Sequence, residues 1–249
     1  MTVTQEQELA ALREIGRVVA VVLHEMLEAA QPGMTTAELD AFGAARLESF
    51  GAKSAPQVTY GFPGATCISV NEVMAHGIPD GRPLEEGDIL NVDVSAELGG
   101  FFGDNAGTRV VGTPTPAQTH LIETARTARD RAIASLRPGC FVNQIGRVFE
   151  HHAREGGYHV VRNLCSHGIG RSLHEDPQEI LGYFDRRDRR KLGRGAVVTV
   201  EPFLSTGSPW ATDGDDGWAL MNESGGRSAQ FEHTIYLGPE GPEILTLVR

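Results

Sequence analysis

Four carboxylate residues fall in or beside segments with the pattern of β-strands: Asp93, Asp104, Glu201 and Glu232. Burying a carboxylate on a half-buried strand costs several kcal/mol unless it is paired or bound to a metal. Taken singly, each acid is best explained as a strand-end residue bonded to a turn, but the four together favour metal binding. His167, in the glycine-containing segment CSHGIG (165–170), adds an imidazole. Carboxylates with one imidazole suit Mn, Co, Fe(II) or Zn, and two bridging carboxylates suit a pair of ions.

Motifs for several other chemistries are missing. The sequence contains no GxxxxGKS/T, GxGxxG, GxSxG or HExxH pattern. These patterns mark phosphate-binding loops, dinucleotide folds, serine nucleophile elbows and zincin helices. His174 is followed by Glu175 but lacks the second histidine of a zincin helix. The simplest nucleotide-binding, acyl-serine and zincin functions are therefore excluded.

The composition is that of a folded, acidic protein. Its 249 residues include 40% hydrophobic and 22% charged side chains, and 22 basic against 33 acidic residues give a net charge of -11. This charge disfavours nucleic acid and anionic membranes as partners. Three cysteines without a CxxC spacing fit reduced thiols, and the longest apolar run near the start, residues 18–23, is too short to span a bilayer. We expect a cytoplasmic monomer with no nucleic-acid or membrane partner.

Capping residues and an apolar period of three to four residues predict four helices that position these strands. The predicted helices run from a Thr4–Gln7 capping box to Pro32, from a Thr35–Glu38 box to Gly51, from a Thr115–Gln118 box to Pro138, and over residues 144–155.

The two pairs of helices repeat with an offset of 106 residues, so that Pro32 corresponds to Pro138. A strand with the same polar alternation follows each copy, carrying Asp93 in the first and Glu201 in the second. We predict a single catalytic domain over residues 1–249. It is built from duplicated α+β halves, roughly 1–113 and 114–249, that meet at an interface lined by acids.

The segments around these residues form recognisable motifs: CISVNEVMAHGIP (67–79), NVDV (91–94), GD (103–104), HGIGRSLHEDP (167–177), VEP (200–202), SAQFEHT (228–234) and EILTL (243–247). These motifs closely resemble those of type I methionine aminopeptidases, and the resemblance covers nearly the whole chain. It implies a pita-bread fold, in which duplicated α+β halves with antiparallel sheet and outer helices are related by a pseudo-two-fold axis. It also implies a metallo-aminopeptidase that removes the N-terminal methionine of nascent proteins and peptides when the second residue is small.

The resemblance implies two divalent metal ions per chain, of Co, Mn, Fe(II) or Zn. Asp93 would chelate one ion, His167 and Glu201 would bind the other, and Asp104 and Glu232 would bridge both. A metal-bridged water or hydroxide would attack the scissile carbonyl, and Glu201 would take the proton and pass it towards the leaving amine.

The resemblance also implies roles for two further histidines and for a methionine pocket. His174 would donate a hydrogen bond to the scissile carbonyl. His76 would contact the substrate backbone between its first two residues and could also shuttle a proton, so both histidines are expected to be catalytic. Phe62, Cys67 and Trp218 would surround the methionine side chain. The alternative explanation is that the histidines are merely packed or exposed and that the other three belong to the core.

The sequence departs from the family pattern at three places. Ser166 stands where glycine is usual, and Leu173 replaces an aromatic residue beside His174. An unusual stretch, NAGTR (105–109), follows Asp104 and is expected to affect the turn of the hairpin that carries it. None of these departures removes a predicted ligand, so they bear on rate and specificity.

Three alternatives share the predicted fold. Xaa-Pro peptidases usually carry a sizeable extra N-terminal domain, whereas only about 60 residues precede Phe62 here. A metal-free binding protein would lose ligands, whereas all five are present. A type II methionine aminopeptidase would carry a long insertion, for which the 31-residue step from Glu201 to Glu232 leaves no room.

Overall fold

The computed structural model describes residues 1–248, and the chain combines helices with antiparallel sheets. The predicted α+β class is confirmed. Arg249, the last residue of the predicted second half, lies outside the described residues. The four predicted helices are present, together with a single short helix, α3, that was not predicted. The helices are α1 (Glu6–Ala29), α2 (Thr36–Ser49), α3 (Ala55–Tyr60), α4 (Pro116–Ser135) and α5 (Asn143–Gly156).

The strands form two principal sheets and two smaller ones. Those before α4 are β1 (Lys53–Ser54), β2 (Cys67–Val70), β3 (Val73–Ala75), β4 (Ile89–Leu98) and β5 (Phe101–Val110). Those after α5 are β6 (His159–Val160), β7 (Cys165–Gly168), β8 (Glu175–Leu181), β9 (Val197–Val200), β10 (Phe203–Ser205), β11 (Thr212–Asp213), β12 (Leu220–Met221), β13 (Ser228–Gln230), β14 (His233–Gly238) and β15 (Gly241–Ile244). In the first sheet β4 pairs with β1, β2 and β5, and the second has the order β15-β14-β9-β7-β8.

Helix α1 covers the first sheet with its apolar face. The apolar residues that recur every three or four positions from Leu9 to Met26 are buried, and the helix packs against β4 and β5. Its capping box lies one position later than predicted, at Gln5 and Glu8, because the Glu8 carboxylate reaches back to the backbone of Gln5. Neither α1 nor any other helix among residues 1–248 is long and apolar enough to cross a membrane.

Capping boxes and a left-handed glycine set the other helix boundaries, as predicted. Thr35 with Glu38 and Thr115 with Gln118 form the predicted capping boxes of α2 and α4. Helix α5 ends at Gly157, whose φ of 77° is a left-handed conformation that glycine adopts without strain. Helices α4 and α5 pack against each other as a pair, as α1 and α2 do.

The buried apolar residues form two large cores. One is built mainly from α1, α2, β2 and β4, and the other mainly from α4, α5, β9 and β14. The predicted boundary near residue 113 falls between Val110, the last residue of β5, and Pro116, the first residue of α4. Each core thus combines a helix pair with antiparallel strands.

The two cores meet along a seam between β5 and the segment 230–234. The Asp104 N–H donates to Thr234 Oγ1 at 3.0 Å, and that hydroxyl donates back to the Asp104 carbonyl at 2.8 Å. Two residues along, the Glu232 N–H donates to the Ala106 carbonyl at 2.9 Å. Residue numbers rise on one segment as they fall on the other, so the contact is antiparallel. This register brings Asp104 and Glu232 from opposite halves of the chain to one place.

Candidate metal and peptide site

The seam opens into a cavity of about 430 Å³. All ten residues predicted to form the site line this cavity, although they come from both halves of the chain. They are Phe62, Cys67, His76, Asp93, Asp104, His167, His174, Glu201, Trp218 and Glu232.

The predicted metal ligands lie on strands or directly beside them. Asp93 lies on β4, opposite Ala106 of β5 and Cys67 of β2. Glu201 directly follows β9, and His167 lies on β7, which neighbours β9 in the same sheet. Strand pairing therefore fixes the backbone under each of these side chains.

Burial raises the pKa of all four carboxyl groups. The pKa of Asp93 rises to about 6 and that of Glu201 to about 8, because water is removed from around the ionised oxygens. Burial, followed by repulsion from neighbouring carboxylates, raises the pKa values of Asp104 and Glu232 well above the ordinary range. Ionised carboxylates in this cluster therefore require a compensating positive charge.

Two carboxylate oxygens of the cluster, Asp104 Oδ1 and Glu232 Oε1, are buried and have no hydrogen-bond partner among the described residues. Buried polar atoms are almost always hydrogen-bonded, so two unpartnered oxygens in one cluster mark a place for a ligand. Asp104, His167 and Glu232 each offer one ligand atom, and these atoms lie within 4.8 Å of one another. Two carboxylates and an imidazole fit a divalent transition metal.

The His167 ring is held in the form that binds metals. Its Nδ1 lies 3.0 Å from the Gly168 carbonyl, so an Nδ1–H donates to that oxygen and leaves the Nε2 lone pair free. Nε2 lies 3.6 Å from Glu201 Oε1 and 3.9 Å from Asp104 Oδ2. Burial lowers the pKa of His167 to about 3, so the imidazole is neutral at physiological pH.

Three polar side chains hold Glu201, and sequence reasoning gave none of them a role in the site. Thr199 Oγ1 donates to Glu201 Oε1 at 2.7 Å and accepts from the His167 N–H at 2.9 Å. Gln230 Nε2 donates to Glu201 Oε2 at 3.2 Å, and Ser166 Oγ accepts from the Glu201 N–H at 3.0 Å. Strand alternation, which places Thr199 and Glu201 on the same face, was the available signal. Ser166, a departure from the family pattern, thus supports a predicted ligand.

Replacing Ser166 with alanine should destabilise the chain by about 1–3 kcal/mol, because the buried Glu201 N–H would lose its acceptor. Urea-induced unfolding of the metal-free protein measures this change. The matched control is Ser135→Ala, since the Ser135 hydroxyl only bonds to the carbonyl of Ala132 in its own helix. A Ser166→Ala protein with the stability of the parent would show that the contact contributes nothing.

The prediction that residues 105–109 affect the hairpin turn is wrong. The turn between β4 and β5 lies at Gly99 and Gly100, with φ values of 61° and 82°, and Asn105 pairs with Val94 inside the hairpin. Gly107 lies inside β5 and not in a turn, and a Cβ there would approach Leu27 Cδ1 on α1 to 3.1 Å. Residues 105–109 thus belong to strand β5, and the β4–β5 hairpin is longer than the composition of this stretch suggests.

His174 reaches the cavity from a tightly held turn after β7. Glu175 Oε1 accepts hydrogen bonds from the Arg171 and Ser172 backbone at 2.6 and 2.8 Å, and its other oxygen lies 2.8 Å from the Met1 amine. The His174 ring lies 3.9 Å, centroid to centroid, from the ring of His167. Removal of water around it lowers the pKa of His174, so this imidazole is also neutral.

The apolar part of the cavity is formed by the predicted pocket residues. The rings of Phe62 and Trp218 meet edge to face, with centroids 5.2 Å apart and planes at 86°. Burial raises the pKa of the Cys67 thiol well above its usual value, so it remains protonated. Leu173, which replaces the family's aromatic residue, is buried and lines the same cavity.

Comparisons with known proteins agree with this geometry. Residues 10–239 match metallopeptidase family M24. Methionine aminopeptidase 2 of Bacillus subtilis is 43% identical over 247 residues, covering 99% of this chain and 99% of that protein. A methionine aminopeptidase of Staphylococcus epidermidis is 41% identical over 249 residues, covering 100% of this chain and 99% of that protein. The crystal structure of a methionine aminopeptidase from Thermotoga maritima matches with a TM-score of 0.94 and 33% identity, covering 99% of each chain.

The chain therefore belongs to metallopeptidase family M24 and is a metal-dependent hydrolase. The relatives that the chain matches over nearly their full length include methionine aminopeptidases. The predicted resemblance and the pita-bread fold are therefore confirmed. The individual roles of the ten cavity residues stay predictions.

Proposed function

We propose that this chain removes the N-terminal methionine from peptides and nascent proteins when the second residue is small. One observation carries the proposal: the buried, unpartnered oxygens of Asp104 and Glu232 share a cavity with an apolar wall of Phe62 and Trp218. The oxygens account for metal-dependent hydrolysis, and the wall accounts for a preference for an apolar first side chain. The similarity to methionine aminopeptidases supports the same reaction.

Five residues are proposed to hold two divalent ions, of Co, Mn, Fe(II) or Zn. Asp93 would hold one ion, His167 and Glu201 the other, and Asp104 and Glu232 both. Charge supports the number, since two divalent cations balance four ionised carboxylates. When bound, such ions polarise the scissile carbonyl and activate a water molecule.

Side chains of the cavity transfer the proton, stabilise the developing negative charge and position the peptide. Glu201, whose Oε1 and Oε2 are oriented by Thr199 and Gln230, accepts a proton from the attacking water and passes it to the leaving amine. His174 donates a hydrogen bond to the carbonyl oxygen as negative charge develops there. His76, which follows β3 with a φ of 55°, contacts the peptide backbone between the first two substrate residues.

The pocket selects the first residue by fit. Phe62, Trp218 and the protonated Cys67 present an apolar surface, and such a pocket discriminates by about 1–3 kcal/mol per methylene group. An unbranched methionine side chain suits this surface, and a charged or small first residue does not. Because His76 and His174 are assigned to the peptide bond between the first two substrate residues, we expect a bulky second side chain to be excluded.

Three peptides test the proposed reaction directly. The Mn²⁺-loaded protein should release methionine from Met-Ala-Ser, act far more slowly on Met-Leu-Ser, and leave Ala-Pro-Ser intact. Cleavage of Ala-Pro-Ser alone would assign the chain to the Xaa-Pro branch of the fold. Failure to cleave any of the three with metal bound would favour a binding protein without hydrolytic activity.

This reaction also bears on where the chain acts. We place it in the cytoplasm, where nascent chains carry their initiating methionine and where its three free cysteines stay reduced. The lack of nucleic-acid and membrane partners stays a prediction from the net charge of -11, and the monomeric state stays a prediction as well.

A further inference from the structure

Tyr60, which the sequence analysis did not single out, contacts the proposed oxyanion donor. It is the last residue of α3, and Gly61 ends that helix in a left-handed conformation with a φ of 71°. The Tyr60 hydroxyl lies 2.6 Å from His174 Nδ1, and the two ring centroids are 5.8 Å apart. Tyr60 also lines the cavity, although half of its surface is exposed.

Either direction is chemically possible for this hydrogen bond, because a protonated phenol can both donate and accept. A neutral imidazole has one N–H donor and one acceptor nitrogen. Partial burial and the nearby Asp104 charge raise the pKa of Tyr60, so its phenol keeps the proton. When the phenol donates to Nδ1, the ring hydrogen of His174 must lie on Nε2.

Other contacts of His174 do not make this choice. Its ring stacks against His167 at 3.9 Å with the planes tilted by 34°, which restricts the ring plane without favouring either nitrogen. Among residues 1–248, Tyr60 is the side chain that hydrogen-bonds to the His174 ring. The Tyr60 hydroxyl is therefore the contact through which one tautomer of His174 can be selected.

We propose that Tyr60 is a positioning residue, whose hydroxyl holds His174 with the Nε2–H directed at the carbonyl oxygen of the substrate. This inference rests on the proposed function, because it needs His174 as the oxyanion donor. It assigns the hydroxyl, and not the aromatic ring, as the part of Tyr60 that supports turnover.

Tyr60→Phe removes the hydroxyl and keeps the ring. We expect kcat for Met-Ala-Ser to fall about three- to tenfold, with KM and metal content unchanged, because one hydrogen bond that orients the donor is lost. In a His174→Ala background the same substitution should lower kcat no further, since its effect passes through His174. The matched control is Tyr158→Phe, which removes a similar 2.7 Å contact, to His120 Nδ1, outside the cavity.

A spectroscopic measurement tests the proposal without relying on activity. In Zn²⁺-loaded protein with ¹⁵N-labelled histidine, the His174 nitrogen shifts should report an Nε2–H tautomer, and Tyr60→Phe should shift them towards a mixture. Unchanged shifts with parental kcat would overturn the proposal. A changed preference for the second substrate residue at constant kcat would also overturn it, leaving Tyr60 as a wall of the cavity. If the parent releases no methionine yet the shifts respond, the proposed function fails while the positioning contact stands.

Discussion

Asp104→Asn is expected to lower methionine release about a thousandfold or more and to remove stoichiometric metal binding. Asp104 supplies one of three ligand atoms that lie within 4.8 Å of one another, and one of its oxygens is buried without a partner. An amide keeps the shape but loses the charge and half of the oxygen ligands. Metal polarisation of the carbonyl is worth several kcal/mol, and each 1.36 kcal/mol changes the rate tenfold.

A second measurement concerns the stability of the metal-free protein, which Asp104→Asn is expected to increase. The pKa of Asp104 is raised in the folded chain, so its ionised form destabilises the fold when no cation compensates. The asparagine variant should therefore resist urea better than the metal-free parent. Asp215→Asn, in an exposed loop, serves as the control for both measurements. Full activity with normal metal content in Asp104→Asn would contradict the assignment of this residue as a ligand.

His174→Ala should lower kcat about a hundred- to a thousandfold, the usual effect of removing one oxyanion donor. Metal content should stay at the parental value, because His174 is not among the proposed ligands, and KM should change little. Steady-state kinetics with Met-Ala-Ser and metal analysis of the same sample provide both quantities.

The control for this variant is His120→Ala, because His120 also bonds to a tyrosine hydroxyl but lies away from the cavity. It should retain the parental kcat. Two results would remove His174 from the mechanism: loss of metal together with activity, or a kcat within a factor of two of the parent.

The elements of this fold could be predicted because their signals are local. The capping boxes at Thr35 and Thr115 and the apolar period of α1 depend on residues three or four positions apart. The same local logic erred where two boxes overlapped, since Gln5 with Glu8 replaced Thr4 with Gln7. It erred again at residues 105–109, which lie inside β5 and not in the hairpin turn.

The site depended on information of another kind. Acids on strands suggested a metal, but the seam that joins Asp104 to Glu232 is set by hydrogen bonds between residues 130 positions apart. The contact between Tyr60 and His174 spans 114 positions and has no local signal. Ser166 could be seen to differ from the family pattern, but only the structure connects it to the Glu201 backbone.

The most direct test of the account is a titration of metal-stripped protein with Mn²⁺, in which bound metal and methionine release from Met-Ala-Ser are measured in the same samples. The account predicts no activity without metal, activity that rises as the sites fill, and saturation at two ions per chain. Methionine release that is independent of metal would contradict the assigned chemistry. Stoichiometric metal binding without release would contradict the proposed reaction while leaving the metal site in place.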